Sequence, residues 1–185
     1  MQTTDALKND HRVIERMLTI LQVSARRLNS GENVPAQTFR DALDFIRNFA
    51  DSCHHGKEED VLYPHLEKLG VPKDGGPIAV MLMEHDEGRR YVKGLAEAIE
   101  RYEKGDKAAA RDVARNALSY AELLGQHIPK EDNILYPIAD QVLPRADDAA
   151  LMKAFEDQEE RTIGHGKHEE YIQLVGKLEK DLGIG

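Results

Sequence analysis

The 185-residue chain has one cysteine, Cys53, no tryptophan, and only 5% aromatic residues. A lone cysteine cannot close an internal disulfide, so neither a covalent staple nor a redox-active cysteine pair is expected. No apolar run approaches the roughly 20 residues that a membrane-spanning helix needs, and no membrane partner is expected. Positive charge is in the minority, with 25 lysines and arginines against 34 aspartates and glutamates, a net charge of -9. Phosphate recognition needs a clustered positive face, so nucleic acid is not an expected partner either. Dinucleotide fingerprints, phosphate loops and nucleophile triads are all missing. The N-terminal stretch MQTTDALKNDHRV lacks the basic start and apolar run of a secretory signal, from which a cytoplasmic location is expected.

What is present is helical periodicity. Leu7, His11, Ile14, Leu18, Leu21, Ala25 and Leu28 recur by threes and fours, the spacing of a helix that buries one stripe. A second stripe runs Phe39, Leu43, Ile46, Ala50, His54, with Gly31 and Pro35 before it and Gly70 after it. A third begins at Pro77 and carries Ile78, Leu82, His85, Val92, Ala96 and Ile99. After Gly105 as a C-cap and Asp106 as an N-cap, a fourth carries Val113, Ala117, Tyr120, Leu124 and His127. Four helices of about 25 to 35 residues with short connections predict an all-α, up-down-up-down four-helix bundle over residues 5–140. Beyond Pro144, Ala146–Phe155 and Lys167–Leu182 read as two shorter helices, a C-terminal extension over 146–183 parted by the glycines of IGHGKH. A chain of this length is expected to form one domain, 1–185.

The strongest signal is an internal repeat. HHGKEEDVLYPHL from His54 and HIPKEDNILYPIA from His127 agree at His, Lys, Glu, Leu, Tyr and Pro without a gap. The repeats lie 73 residues apart, and the other two stripe histidines, His11 and His85, lie 74 apart. Each half therefore places one histidine on its first helix and a His-x-x-x-Glu on its second. Residues four apart on a helix share a face, so His54 with Glu58 and His127 with Glu131 form two gripping pairs. With His11 and His85 in their own apolar stripes, six side chains converge on the bundle axis. Burying that many imidazoles and carboxylates is prohibitive unless cations compensate them. Imidazole with carboxylate and no thiolate suits iron, manganese or zinc, with iron preferred.

The arrangement resembles the hemerythrin-like, or HHE cation-binding, domain over roughly residues 5 to 140, and the LYP after each glutamate is similar to that family's motif. The resemblance implies a hemerythrin-like bundle whose metal ligands are His11, His54, Glu58, His85, His127 and Glu131. It also implies that Glu58 and Glu131 bridge two iron ions together with an oxo or hydroxo group. The oxygen-carrying hemerythrins of marine worms have a second histidine one turn after the helix-three ligand, where this chain has Arg89, and their last helix carries an aspartate at its own spacing. The four-histidine, two-glutamate set is similar to di-iron proteins of iron-sulfur cluster repair, although their usual N-terminal cysteine-containing domain has no counterpart here. The expected function is a non-heme di-iron centre with open coordination that takes oxygen, nitric oxide or peroxide for sensing, storage or scavenging. The alternative is a di-iron enzyme or iron donor in oxidative or nitrosative stress.

Residues near the motif are read more plainly. His55 is about 100° around the helix from His54 and has Ile128 as its repeat counterpart, so it is not expected to be a ligand. His65 is 11 residues from His54, about 16 Å along a helix and too far for one centre. Tyr63 and Tyr136, about 140° from the glutamates, are expected to pack. Glu59 and Asp132 are expected as solvated charges or as acceptors orienting ligand histidines. Arg89 is expected to pair with a carboxylate or guard access, and His165 and His168 to lie in a polar helix start against the bundle. Cys53 is expected as a small buried hydrophobe.

Overall fold

A computed structural model describes residues 1–184 as six helices, with no strand among the described residues. Helix α1 is Gln2–Asn29. Helix α2 spans 36–68 and changes its winding: Ala36–Phe45 and Tyr63–Lys68 are α-helical, while Ile46–His55 and Lys57–Leu62 are π-helical. Helix α3 is Pro77–Glu103. Helix α4 spans 109–142, with a π-helical segment at Glu131–Leu135 between Ala109–Lys130 and Tyr136–Val142. The extension supplies α5, Asp148–Thr162, and α6, Lys167–Leu182. No described helix is long and apolar enough to cross a membrane.

The expected stripes of α1, α2 and α4 are buried throughout, whereas that of α3 is offset: Leu82, Val92 and Ala96 are half-buried, and Met81, Leu95 and Ala98 take the core positions. The buried faces sort into two apolar clusters. One contains Ile14, Leu21, Ile46, Phe49, Leu95, Ile99, Val113 and Leu124. The other contains Leu7, Leu62, Tyr63, Ile78, Met81, Leu135 and Tyr136. Along the chain, α1 and α3 pass from the second cluster to the first, and α2 and α4 pass from the first to the second. That alternation is the up-down-up-down order. In each of α1 to α4 the stripe histidine falls at the crossing between clusters, so a polar layer is sandwiched between two apolar ones.

In Lys57–Leu62 and Glu131–Leu135 the winding change has a local cause. Pro64 and Pro137 of the two LYP motifs each follow a π-helical segment by two residues. Proline offers no N–H and its ring crowds the carbonyl four residues back, and opening the turn to i→i+5 relieves both. Ser52 Oγ donates to the Arg47 carbonyl five residues back at 2.8 Å, a π-turn contact made by a side chain.

Two boundaries differ from expectation. Gly105 ends α3 at φ 87°, but α4 starts at Ala109 because the Asp106 carboxylate first caps a separate turn at the Ala108 N–H, 2.9 Å away. Helix α5 starts at Asp148 and continues past Phe155 to Thr162, since its buried stripe Leu151, Phe155, Gln158 runs on. Gly56 of α2 faces α5, and an added Cβ would lie 2.4 Å from Gln158 Nε2, so the tip of that side chain occupies the space a larger residue would take.

Candidate metal centre

All six residues singled out by the repeat are buried, with Glu58 and Glu131 at 0% exposure and the four histidines at 2% or less. The polar layer brings them together. His11 Nε2 and His127 Nε2 each lie 3.1 Å from Glu131 Oε2. His54 Nε2 and His85 Nε2 lie 3.8 and 3.6 Å from Glu58 Oε2. His85 Nε2 and His127 Nε2 face each other at 3.1 Å.

Each ring is aimed by a carboxylate on its other nitrogen. His11 Nδ1 meets Asp132 at 2.8 Å, His54 Nδ1 meets Asp10 at 3.4 Å, His85 Nδ1 meets Glu59 at 2.7 Å, and His127 Nδ1 meets Glu84 at 2.9 Å. A carboxylate at Nδ1 fixes the tautomer and turns the Nε2 lone pair inward, the orientation that metal-ligating histidines show. Asp10 and Glu84 immediately precede the stripe histidines His11 and His85, and each reaches across to the histidine of the next helix. Lysines of the repeat hold them in turn: Lys57 donates to Asp10 at 3.1 Å, and Lys130 donates to Glu84. The matched lysines of the two repeats thus have the same job.

Tyr63 and Tyr136 do more than pack. Tyr63 Oη donates to Glu131 Oε1 at 2.8 Å, and Tyr136 Oη donates to Glu58 Oε1 at 2.6 Å, so each half of the repeat holds the other half's glutamate. The remaining oxygens, Glu58 Oε2 and Glu131 Oε2, are buried without a hydrogen-bond partner.

The buried charges of this layer shift one another strongly. Burial and the neighbouring Glu131 charge push Glu58 well above the usual carboxylate range. At Glu131 the same burial is outweighed by His127 and His11, which hold it well below. Burial opposes a charge on His11, but Asp132 and Glu131 outweigh it and lift the ring to about 9. Burial lowers His54 to about 4, with the adjacent His11 adding to the effect. Two carboxylates therefore compete for one proton where a cation would satisfy both.

His55 also borders the layer. It is 4% exposed, and its ring stacks on His85 with centroids 3.8 Å apart and planes 14° from parallel. The reason is the π-helical winding of Ile46–His55: an i→i+5 turn rotates the chain less per residue than an α-turn, so adjacent side chains stay nearer one face. The His-His doublet just upstream of a proline-bearing motif was the available signal. Arg89 faces outward and bridges Asp51 at 2.9 Å and Glu59 at 2.7 Å. His65 pairs with Asp147 at 2.9 Å, away from the layer. His168 packs on the bundle with Nε2 2.9 Å from Asp10, while His165 is exposed. Cys53 is buried, and burial pushes its thiol up to about 12.

A helical bundle with a buried imidazole-carboxylate layer defines a metal-binding protein. Residues 2–139 match the family model of the hemerythrin HHE cation binding domain, and the chain belongs to that family. It is also similar to uncharacterized proteins of Mycobacterium tuberculosis and Mycobacterium bovis, at 27% identity over 178 residues, which covers 96% of this chain and 69% of each relative.

Proposed function

We propose that the polar layer is a non-heme di-iron centre held by His11, His54, Glu58, His85, His127 and Glu131, and that it binds oxygen, nitric oxide or peroxide for sensing, storage or scavenging. One observation carries this reading. Each unpartnered glutamate oxygen lies between a histidine of one half and a histidine of the other, within 3.8 Å of both. Two buried glutamates facing four imidazoles that are already turned onto outer carboxylates are costly to bury, and cations among them offset that cost.

The donor set fits iron: nitrogen and carboxylate oxygen, with Cys53 buried beside Lys57 and Glu159 rather than among the ligands. Manganese and zinc belong to the same ligand class, and elemental analysis separates them. Bound iron would supply one-electron redox chemistry and coordination positions that these donors do not fill. The chain's own residues do the rest. Asp10, Glu59, Glu84 and Asp132 orient the imidazoles, Tyr63 and Tyr136 fix the glutamates, and the two apolar clusters keep bulk water from the layer.

The test is metal content with spectroscopy. Purified protein should carry two irons per chain, and Glu131→Ala should lower that content. The visible spectrum should change on exposure to oxygen or nitric oxide and recover on removal. A native protein without transition metal, or a Glu131→Ala variant with unchanged metal content, refutes the centre. Sustained consumption of peroxide or nitric oxide that is lost in Glu58→Ala would make the protein an enzyme rather than a carrier or sensor.

A further inference from the structure

We propose that His55 is a fifth histidine ligand, so that the centre is asymmetric: His55, His85 and His127 surround one ion, while His11 and His54 serve the other. This rests on the di-metal reading above and goes beyond the six residues of the repeat. Three observations carry it. First, His55, His85 and His127 each offer a ring nitrogen, and the three nitrogens lie within 4.8 Å of one another, while His11, His54, Glu58 and Glu131 form a second such group. The seven buried side chains divide into two clusters, and His55 belongs to only one of them.

Second, His55 shares the hydrogen-bonding signature of the other four histidines. Its Nδ1 lies 3.3 Å from Asp51 Oδ1, and Asp51 is fixed in turn by Arg89 Nε at 2.9 Å. Arg89 also holds Glu59, the carboxylate behind His85. One guanidinium thus anchors the acceptors of both stacked rings, which makes it a positioning residue. Any buried imidazole needs a hydrogen-bond partner, but a cation behind that partner repeats the arrangement in which Lys57 and Lys130 hold the carboxylates behind His54 and His127.

Third, the repeat is broken at this position. Residues 54 and 127, 57 and 130, 58 and 131, and 63 and 136 are identical pairs, but His55 stands opposite Ile128. Ile128 is 1% exposed and sits in the larger apolar cluster, so the second half fills the corresponding place with hydrocarbon. Burying an imidazole where its twin is isoleucine costs free energy unless the ring does something that hydrocarbon cannot. Rings stacked face to face cannot both hold one ion in their planes. Ligation therefore turns His55 about its Cβ–Cγ bond, away from parallel with His85.

The experiment uses the full chain carrying His55→Phe, which keeps an aromatic ring against His85 and removes the nitrogen, and His55→Gln in case the larger ring perturbs folding. Helicity by circular dichroism establishes that each variant is folded. Iron affinity is read by chelator competition, and the two irons are distinguished by Mössbauer spectroscopy. Losing only an outer hydrogen-bond partner weakens metal binding by about 10–100-fold, so losing a ligand should weaken one iron by at least about tenfold. Its Mössbauer doublet should shift while the other stays. Folded variants with wild-type affinity and both doublets unchanged overturn the proposal and leave the di-metal centre standing. If wild-type protein holds no pair of ions, the failure is that of the centre itself.

Discussion

Tyr63 donates a 2.8 Å hydrogen bond to Glu131 across 68 positions of the chain, and Tyr136 returns one of 2.6 Å to Glu58. The two bonds cross between the halves of the repeat, so neither His-x-x-x-Glu is held by its own helix alone. They also occupy one oxygen of each glutamate and leave the other facing the histidines.

Removing either hydroxyl should loosen the glutamate without disturbing the packing, because phenylalanine retains the buried ring. A hydrogen bond to a charged group contributes about 1.5–3 kcal/mol, so Tyr63→Phe and Tyr136→Phe should each weaken metal binding by about 10–100-fold. Chelator competition on folded variants measures this. Wild-type affinity in both would show that the tyrosines only fill space.

The lysines of the repeat differ in burial, and their stability contributions should differ accordingly. The Lys57 side chain is 6% exposed and bridges Asp10 and Glu159, while the Lys130 side chain is 36% exposed and pairs with Glu84 alone. Lys57→Met removes the buried ammonium that Asp10 and Glu159 share, leaves Asp10 to His54 and His168, and should cost about 3 kcal/mol, a fall of roughly 6–12 °C in Tm for a chain of this size. Lys130→Met should cost less than about 1 kcal/mol. Thermal unfolding followed by circular dichroism compares them, and equal losses would contradict the argument.

His168 links the extension to the bundle through Asp10, and its stabilisation should depend on pH. The bond to Asp10 raises its pKa above the ordinary value despite partial burial, with Glu159 adding to the effect and Lys57 opposing it. A raised histidine stabilises the fold fully below the unfolded value of about 6.5, and that stabilisation fades as pH rises through the folded value. The stability gap between wild type and His168→Phe should therefore be widest near pH 6 and narrow toward pH 9. Denaturant unfolding across that range is the measurement, and a gap that widens with pH would reverse the assignment.

Helical periodicity was legible because a buried stripe recurs every three to four residues whatever it packs against, and the four long helices follow it. The histidines and glutamates of the layer were legible for a related reason: repetition at offsets of 73 and 74 marks positions that occupy equivalent places in two similar halves. The acidic residues preceding His11 and His85 were in plain view as well. Their role was not, because Asp10 and Glu84 serve histidines on other helices, and the register between helices is set by packing.

The sequence by itself thus determined the bundle, its two halves and which six side chains meet at its centre, since each depends on period and repetition along one chain. Only the tertiary structure decided what surrounds them: the crossed tyrosine bonds, the carboxylate behind every ring, and Arg89 turned outward onto Asp51 and Glu59. It also placed His55 inside, against the 100° step of a regular helix. Local helix winding and contacts between distant helices are properties of the folded chain, and they turn a symmetric repeat into a layer with one histidine more on one side.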